Sequence, residues 1–153
     1  MTTRIAGLLL LASVAVAGCG GQGGGEAAGP SQADQVALAA LPAPYNAADL
    51  ANGREVFKQC RSCHMVAAGA PNLVGPNLHG VFQRRIGTQP DYTYSEAAKA
   101  AGWQWTPAQL DGWLQNPRGF LPGTKMAFAG VKEPTDRRDV IGYLLIETNK
   151  PEE

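Results

Sequence analysis

The chain has 153 residues, enough for one domain plus processing sequence, and balances 13 basic residues against 13 acidic ones. No overall field therefore argues for nucleic acid as a partner. Glycine is abundant but unevenly placed, and three cysteines are an odd number for an exported chain, so one of them needs its own explanation.

The N-terminus supplies it. Met1-Thr2-Thr3-Arg4 is a short positive start, and Ile5 to Ala17 is almost unbroken apolar sequence, the pattern of a secretory signal in residues 1–18. About twenty apolar residues are needed to span a bilayer, so this run is too short for that. It ends in Val16-Ala17-Gly18-Cys19, which resembles a bacterial lipoprotein box. Ordinary cleavage beside Cys19 would leave a free thiol in an oxidising compartment, so lipidation of Cys19 is the expectation. Residues 19–45 are rich in Gly, Ala, Pro and Gln and read as a flexible tether, with at most a transient helix over Ala33 to Leu41. A coil of that length reaches roughly 28 Å.

A folded domain is expected over residues 46–153. Asn46 reads as an N-cap with Asp49 in the first turn. Leu50, Gly53 and Phe57 then share one helical face that runs into Cys60-Arg61-Ser62-Cys63-His64. Two thiols three positions apart, followed at once by an imidazole, form the pattern of covalent c-type haem attachment. The cysteines form thioethers to the two vinyl groups on the porphyrin, and His64 then lies under the ring where it can ligate iron. A redox Cys-x-x-Cys has no need of the histidine, and a zinc site needs a second cluster that the chain lacks.

From Met65 to about Gln89 the sequence has no sustained period and reads as loop, long enough to wrap a cofactor. Ser95 can cap a short Ala-rich helix through Ala101. Thr106-Pro107-Ala108-Gln109 is a stronger start, with a capping box and Pro at the first helical position. Leu110, Trp113 and Leu114 form that helix's apolar face, and Asn116-Pro117 stops it. A second loop, Arg118 to Glu133, carries Met126. Pro134-Thr135-Asp136 opens a last helix whose apolar set is Val140, Ile141, Tyr143, Leu144 and Leu145. The fold class is all-α, small and loop-rich, with one haem in its interior.

The candidates for a second axial ligand are Met65, Met126 and His79. Met65 directly follows His64 and cannot cross to the other face. Met126 lies far enough along, in Pro122-Gly123-Thr124-Lys125-Met126-Ala127-Phe128, to reach the distal side.

Together these segments resemble the class I cytochromes c, specifically the mitochondrial-type group and its bacterial relatives. The likeness runs from about Ala47 to Lys150 through Gly53-x-x-x-Phe57-x-x-Cys60-x-x-Cys63-His64, Gly75-Pro76-Asn77-Leu78-His79-Gly80, Tyr92-Thr93-Tyr94, Trp105, Asn116-Pro117, the Met126 segment, Arg137 and Tyr143. The resemblance implies haem c on Cys60 and Cys63, with His64 and Met126 as the iron's axial ligands. It implies that the Pro76 carbonyl accepts from the His64 ring, and that Tyr94 and Trp105 bind a haem propionate with Arg84 nearby. Phe128 belongs to the haem surroundings, the first and last helices cross through Gly53, Phe57 and Tyr143, and His79 is structural. Trp113 stands where many relatives carry tyrosine beside the thioether, and Arg118-Gly119 where they often have paired lysines.

An electron carrier follows. Lys58, Arg61, Arg118, Lys125 and Lys132 fall near an exposed haem edge on this likeness and would steer docking to an acidic partner. The donor would be a cytochrome bc complex and the acceptor a terminal oxidase or photosynthetic reaction centre. The chain would be a monomer tethered by lipid on the periplasmic side of a bacterial membrane. The competing readings are a haem enzyme or gas sensor with a loosely held Met126, and a fixed subunit of a respiratory complex.

Overall fold

A computed structural model describes residues 29–151. Cys19 and the signal lie outside them. The described residues contain helices and no strands; one isolated antiparallel bridge joins Arg85 to Gln104. In chain order the helices are α1 (Gln32–Ala39), α2 (Leu50–Phe57), α3 (Glu96–Ala101), α4 (Pro107–Gln115), α5 (Pro117–Phe120) and α6 (Pro134–Glu147), with single 3₁₀ turns at Tyr45–Ala47 and Val81–Gln83. The fold is all-α and loop-rich. Among these helices none is long and apolar enough to cross a membrane.

The centre of the scaffold is the crossing of α2 and α6. Gly53 makes it possible: a Cβ there would collide with the Asp139 carbonyl and come within 2.8 Å of Tyr143 Cβ. Leu50, Val56 and Phe57 bury the same face of α2, and Phe57 packs its ring on Tyr143 at 5.5 Å. Val140, Ile141 and Leu144 of α6 are buried against them, each burial favouring the fold by about 1.5–3 kcal/mol before entropy is charged. Tyr143 and Leu145, from the same expected set, are only partly buried.

A polar lock closes the crossing. Asp139 is 1% exposed, yet its carboxylate accepts from the Asp49 backbone N–H at 3.0 Å, from Asn52 Nδ2 at 2.9 Å and from Arg138 Nε at 2.8 Å. A carboxylate this deep is tolerated because its oxygens are satisfied.

Helix starts follow the sequence signals in three places. Ser95 accepts from the Ala98 N–H, Thr106 forms a full capping box with Gln109, and Pro134 opens α6. Three expectations are corrected. Asn46 does not cap α2; Asp49 does, accepting from the N–H groups of Ala51 and Asn52, while Asn46 lies in the preceding 3₁₀ turn. Asn116-Pro117 does stop α4, but Asn116 then caps α5, so the following loop starts at Leu121 rather than Arg118. The flexible tether does not extend to residue 45. Ser31 and Asp34 form a capping box that starts α1, and α1 packs on α6. Lys150 bridges Asp34 at 3.2 Å and Glu147 at 2.8 Å. The Tyr45–Ala47 turn leads into Ala48, whose Cβ faces Gly142 so closely that a Cβ on that glycine would come within 2.5 Å of it. An alanine-rich stretch with little helical driving force of its own gains it from this docking.

Candidate haem-binding site

The chain leaves α2 in a tight turn. Cys60 and Arg61 donate their N–H groups to the Phe57 carbonyl, and Cys63 and His64 donate theirs to the Cys60 carbonyl, at 2.8–3.1 Å. This turn presents Cys60, Cys63 and His64 to one cavity of about 600 Å³, within the range of small-molecule and cofactor sites. Its walls are mainly apolar, with Leu110, Leu114, Val131, Val140 and Leu144 from the helices and loops around it.

The loop after His64 folds back as a frame for the imidazole. Gly75 donates to the Cys63 carbonyl at 2.9 Å and Leu78 to the Met65 carbonyl at 2.8 Å. His64 Nδ1 lies 2.8 Å from the Pro76 carbonyl, the contact implied by the resemblance. A carbonyl only accepts, so Nδ1 carries the proton and Nε2 keeps its lone pair. The imidazole lies flat against Gly75: a Cβ there would collide with Cε1 and sit 2.7 Å from both ring nitrogens. Burial lowers the His64 pKa, against the opposing pull of the Pro76 bond, which favours the neutral ring that a metal requires. Gly75 was legible as part of a motif, but its role as the seat of the ring was not.

The Cys60 thiol does not favour the redox alternative. Burial, with a smaller contribution from Cys63, pushes the Cys60 thiol up to about 11. A thiol-exchange nucleophile needs the opposite shift, towards thiolate. No cluster of three or more His, Cys, Asp or Glu able to hold a metal ion is found among the described residues.

Met126 reaches the same cavity from the loop between α5 and α6. Thr124 Oγ1 accepts from the Met126 N–H at 3.2 Å, and Trp113 Nε1 donates to the Met126 sulfur at 3.2 Å. The far end of the loop is tied by Arg137, which is 6% exposed and donates to the carbonyls of Val131 and Lys132 at 3.0 and 2.8 Å while pairing with Asp111 at 2.9 Å. Met65, by contrast, is 36% exposed and is not among the residues lining the cavity.

Pro76, Arg84, Trp105, Trp113 and Phe128 all line the cavity, as does Lys125. Tyr94 does not; its neighbours Tyr92 and Ser95 do. The Arg84 guanidinium donates to the carbonyls of His79, at 2.6 Å, and Asn77. Burial raises the Tyr94 pKa despite a hydrogen bond to the Gln89 backbone and the nearby Arg84 charge. Of the expected docking cations, Lys58 pairs with Glu55 at 2.6 Å, whereas Lys125 and Lys132 donate to the carbonyls of Thr93 and Gln115 and keep their net charge. Arg61 and Arg118 are exposed. His79 leaves its Nδ1 buried without a partner and does not line the cavity.

The donor set fits haem c: two thiols for thioether formation, an imidazole with its metal-binding nitrogen free, and a methionine thioether on the same mainly apolar cavity. This combination, on an all-α loop-rich scaffold, defines a c-type cytochrome. Comparison with known proteins narrows the class. The Cytochrome c family model matches residues 50–146. The chain is 43% identical over 106 residues to the cytochrome c of Kluyveromyces lactis, covering 69% of this chain and 96% of that protein. It is 46% identical over 100 residues to cytochrome c2 of Rhodomicrobium vannielii, covering 65% and 80%. With cytochrome c2 of Blastochloris viridis it shares 46% over 107 residues, covering 70% and 84%. The chain belongs to the cytochrome c family. It carries one covalently bound haem c with its iron, and it is an electron-transfer protein rather than an enzyme.

Proposed function

We propose that this protein is a lipid-tethered periplasmic shuttle, passing single electrons from a cytochrome bc complex to a terminal oxidase or photosynthetic reaction centre. The observation that carries the reading is the arrival of Met126 at the cavity lined by Cys60, Cys63 and His64. Cys60 and Cys63 would hold the haem through thioethers, and His64 and Met126 would ligate its iron. Haem held by histidine and methionine supplies a one-electron couple of raised potential.

The protein's own residues do the rest. The Pro76 carbonyl holds the His64 ring and favours Nε2 as the ligating atom. Arg84, Trp105 and Tyr94 serve the propionate side, Arg84 offering positive charge and Trp105 an indole N–H; Arg84 and Trp105 line the cavity. The apolar lining excludes water. Docking uses Arg61, Arg118, Lys125 and Lys132 against an acidic partner face. Lys58 contributes least, because Glu55 already neutralises it. The sequence from Ala47 to Lys150 holds twelve basic and nine acidic residues, so the attraction is local rather than global.

Cys19 carries the lipid, and the domain works as a monomer. The bacterial relatives named cytochrome c2 support the electron-carrier part of this reading. The Val16-Ala17-Gly18-Cys19 box supports the anchor. Stopped-flow reduction of the holoprotein by a solubilised bc complex tests the shuttle: its rate should fall steeply as ionic strength rises. A rate independent of salt contradicts the steering by these cations. Membrane fractionation tests the anchor, since Cys19→Ser should move the protein to the soluble fraction.

A further inference from the structure

Between Cys19 and the haem domain the chain is caught once on the way, by α1. This helix lies outside residues 50–146, which the family model matches, so its contact with α6 is this chain's own addition to the shared scaffold. It has 8 residues, and Asp34 is its only buried side chain. Ala37 and Leu38 are partly buried, and Val36 faces solvent at 68% exposure. Asp34 accepts from the Ser31 N–H at 3.2 Å and donates its own N–H to the Ser31 hydroxyl at 3.1 Å. From α6, Lys150 reaches Asp34 at 3.2 Å. A helix this short is marginal alone in water, so α1 is helical only while docked. Little apolar surface is buried in the contact, and the lysine of its ion pair is 46% exposed, so the docking is weakly held.

The chain just beyond is fixed far more firmly. Tyr45 and Ala48 press on α6 where residue 142 is glycine; a Cβ there would come within 2.5 Å of Ala48 Cβ and 3.4 Å of the Tyr45 carbonyl oxygen. Residues 40–44 between the two contacts include Pro42 and Pro44, which have no N–H to carry a helix across. Undocking therefore frees the chain as far as Tyr45 and stops there.

We propose that α1 is a latch that sets the length of the tether. The inference rests on the reading of Cys19 as the lipid anchor. At about 3.5 Å per extended residue, covalent geometry allows roughly 45 Å between Cys19 and Gln32, and roughly 90 Å between Cys19 and Tyr45. Docked, α1 keeps the haem domain close to the bilayer; released, it doubles the ceiling on its height. Effective concentration falls to near zero wherever a linker cannot span the gap, so a partner face standing far above the membrane meets only the released form. A contact this weak leaves both forms populated without any ligand.

The test uses the lipidated holoprotein on vesicles of phosphatidylcholine and phosphatidylglycerol that carry a headgroup fluorophore quenched by haem. Amide exchange of residues 32–39 is read on the same samples. Lys150→Ala should speed that exchange about two- to fivefold, the range for loss of a partly exposed ion pair, and should reduce quenching as the domain moves outward. Asp34→Ala also opens the capping box and should do more of both. Val36→Ala, on the exposed side of α1, should change neither. If residues 32–39 of the wild type exchange like unstructured chain, or if both variants speed exchange without altering quenching, the latch is wrong and the anchor stands. A wild type whose mass shows no lipid on Cys19 and that does not bind the vesicles overturns both.

Discussion

The α2–α6 crossing and the loop that carries Met126 are built on different principles. At the crossing, two helices touch backbone to side chain through Gly53, and Asp139 is satisfied by donors from both. The loop from Leu121 to Glu133 has no helix, and its restraint comes from a few side chains: Thr124 before Met126, Trp113 on its sulfur, and Arg137 at the far end. The first region resists any change in spacing, while the second holds its ligand by bonds that can be removed singly. Local stability in a protein follows such differences in packing and bonding, so the iron's thioether side should yield before the scaffold does.

The largest expected effect lies at the crossing. Gly53→Val should force α2 away from the Asp139 carbonyl and cost the holoprotein about 3 kcal/mol, read as a lowered thermal midpoint. A variant of undiminished stability would remove the contrast. Arg137→Met should cost less, about 2 kcal/mol, by leaving the carbonyls of Val131 and Lys132 and the Asp111 carboxylate without their donor. It should also loosen Met126 before the helices, so that in rising urea the iron–thioether band fades at a lower concentration than the far-ultraviolet helix signal. Coincident loss of both would mean that the loop and the crossing are one unit.

The smallest effect concerns α1. Burial pushes the Asp34 carboxyl up, but hydrogen bonds from Ser31 and Lys150 outweigh it, and its pKa falls below the ordinary 3.8. Lys150 is lowered by burial and raised more by Glu147 and Asp34, to above 10.5. A depressed carboxylate stabilises the docked state above its unfolded pKa and loses that contribution as pH falls through the folded one. A raised lysine stabilises below its unfolded pKa and loses that contribution as pH rises through the folded one. Docking of α1 should therefore hold between about pH 4 and pH 10 and weaken outside those limits. Asp34→Asn should increase amide exchange in residues 32–39 at pH 7, with a change of about 1 kcal/mol or less in global stability, since the Asp34 side chain is 12% exposed but its Lys150 partner is 46% exposed.

Local signals were readable where the physics is local. Thr106 and Gln109, Ser95, and the face of Leu50, Gly53 and Phe57 each announce a helix through spacing or capping chemistry alone. Cys60-Arg61-Ser62-Cys63-His64 carries the attachment site in five residues. What stayed hidden depends on groups distant in sequence. Asp139 looks like a surface residue of a helix until Asp49 and Asn52 are placed against it. Residues 32–39 look like linker until Lys150 and α6 supply a partner. The closed ring of Trp103, Trp105, Trp113 and Phe120 needs three separate segments to meet. Tyr94, given to the haem by the resemblance, is not among the residues lining the cavity, whereas Tyr92 and Ser95 are.

The most direct measurement is the absorption spectrum of the oxidised holoprotein in the far red, together with carbon monoxide binding to the reduced form. With His64 and Met126 both on the iron, a weak iron–thioether charge-transfer band is present, disappears in Met126→Ala, and carbon monoxide binds poorly to the wild type. A wild type that lacks the band and binds carbon monoxide readily has an open iron site, and would contradict the carrier built on Met126.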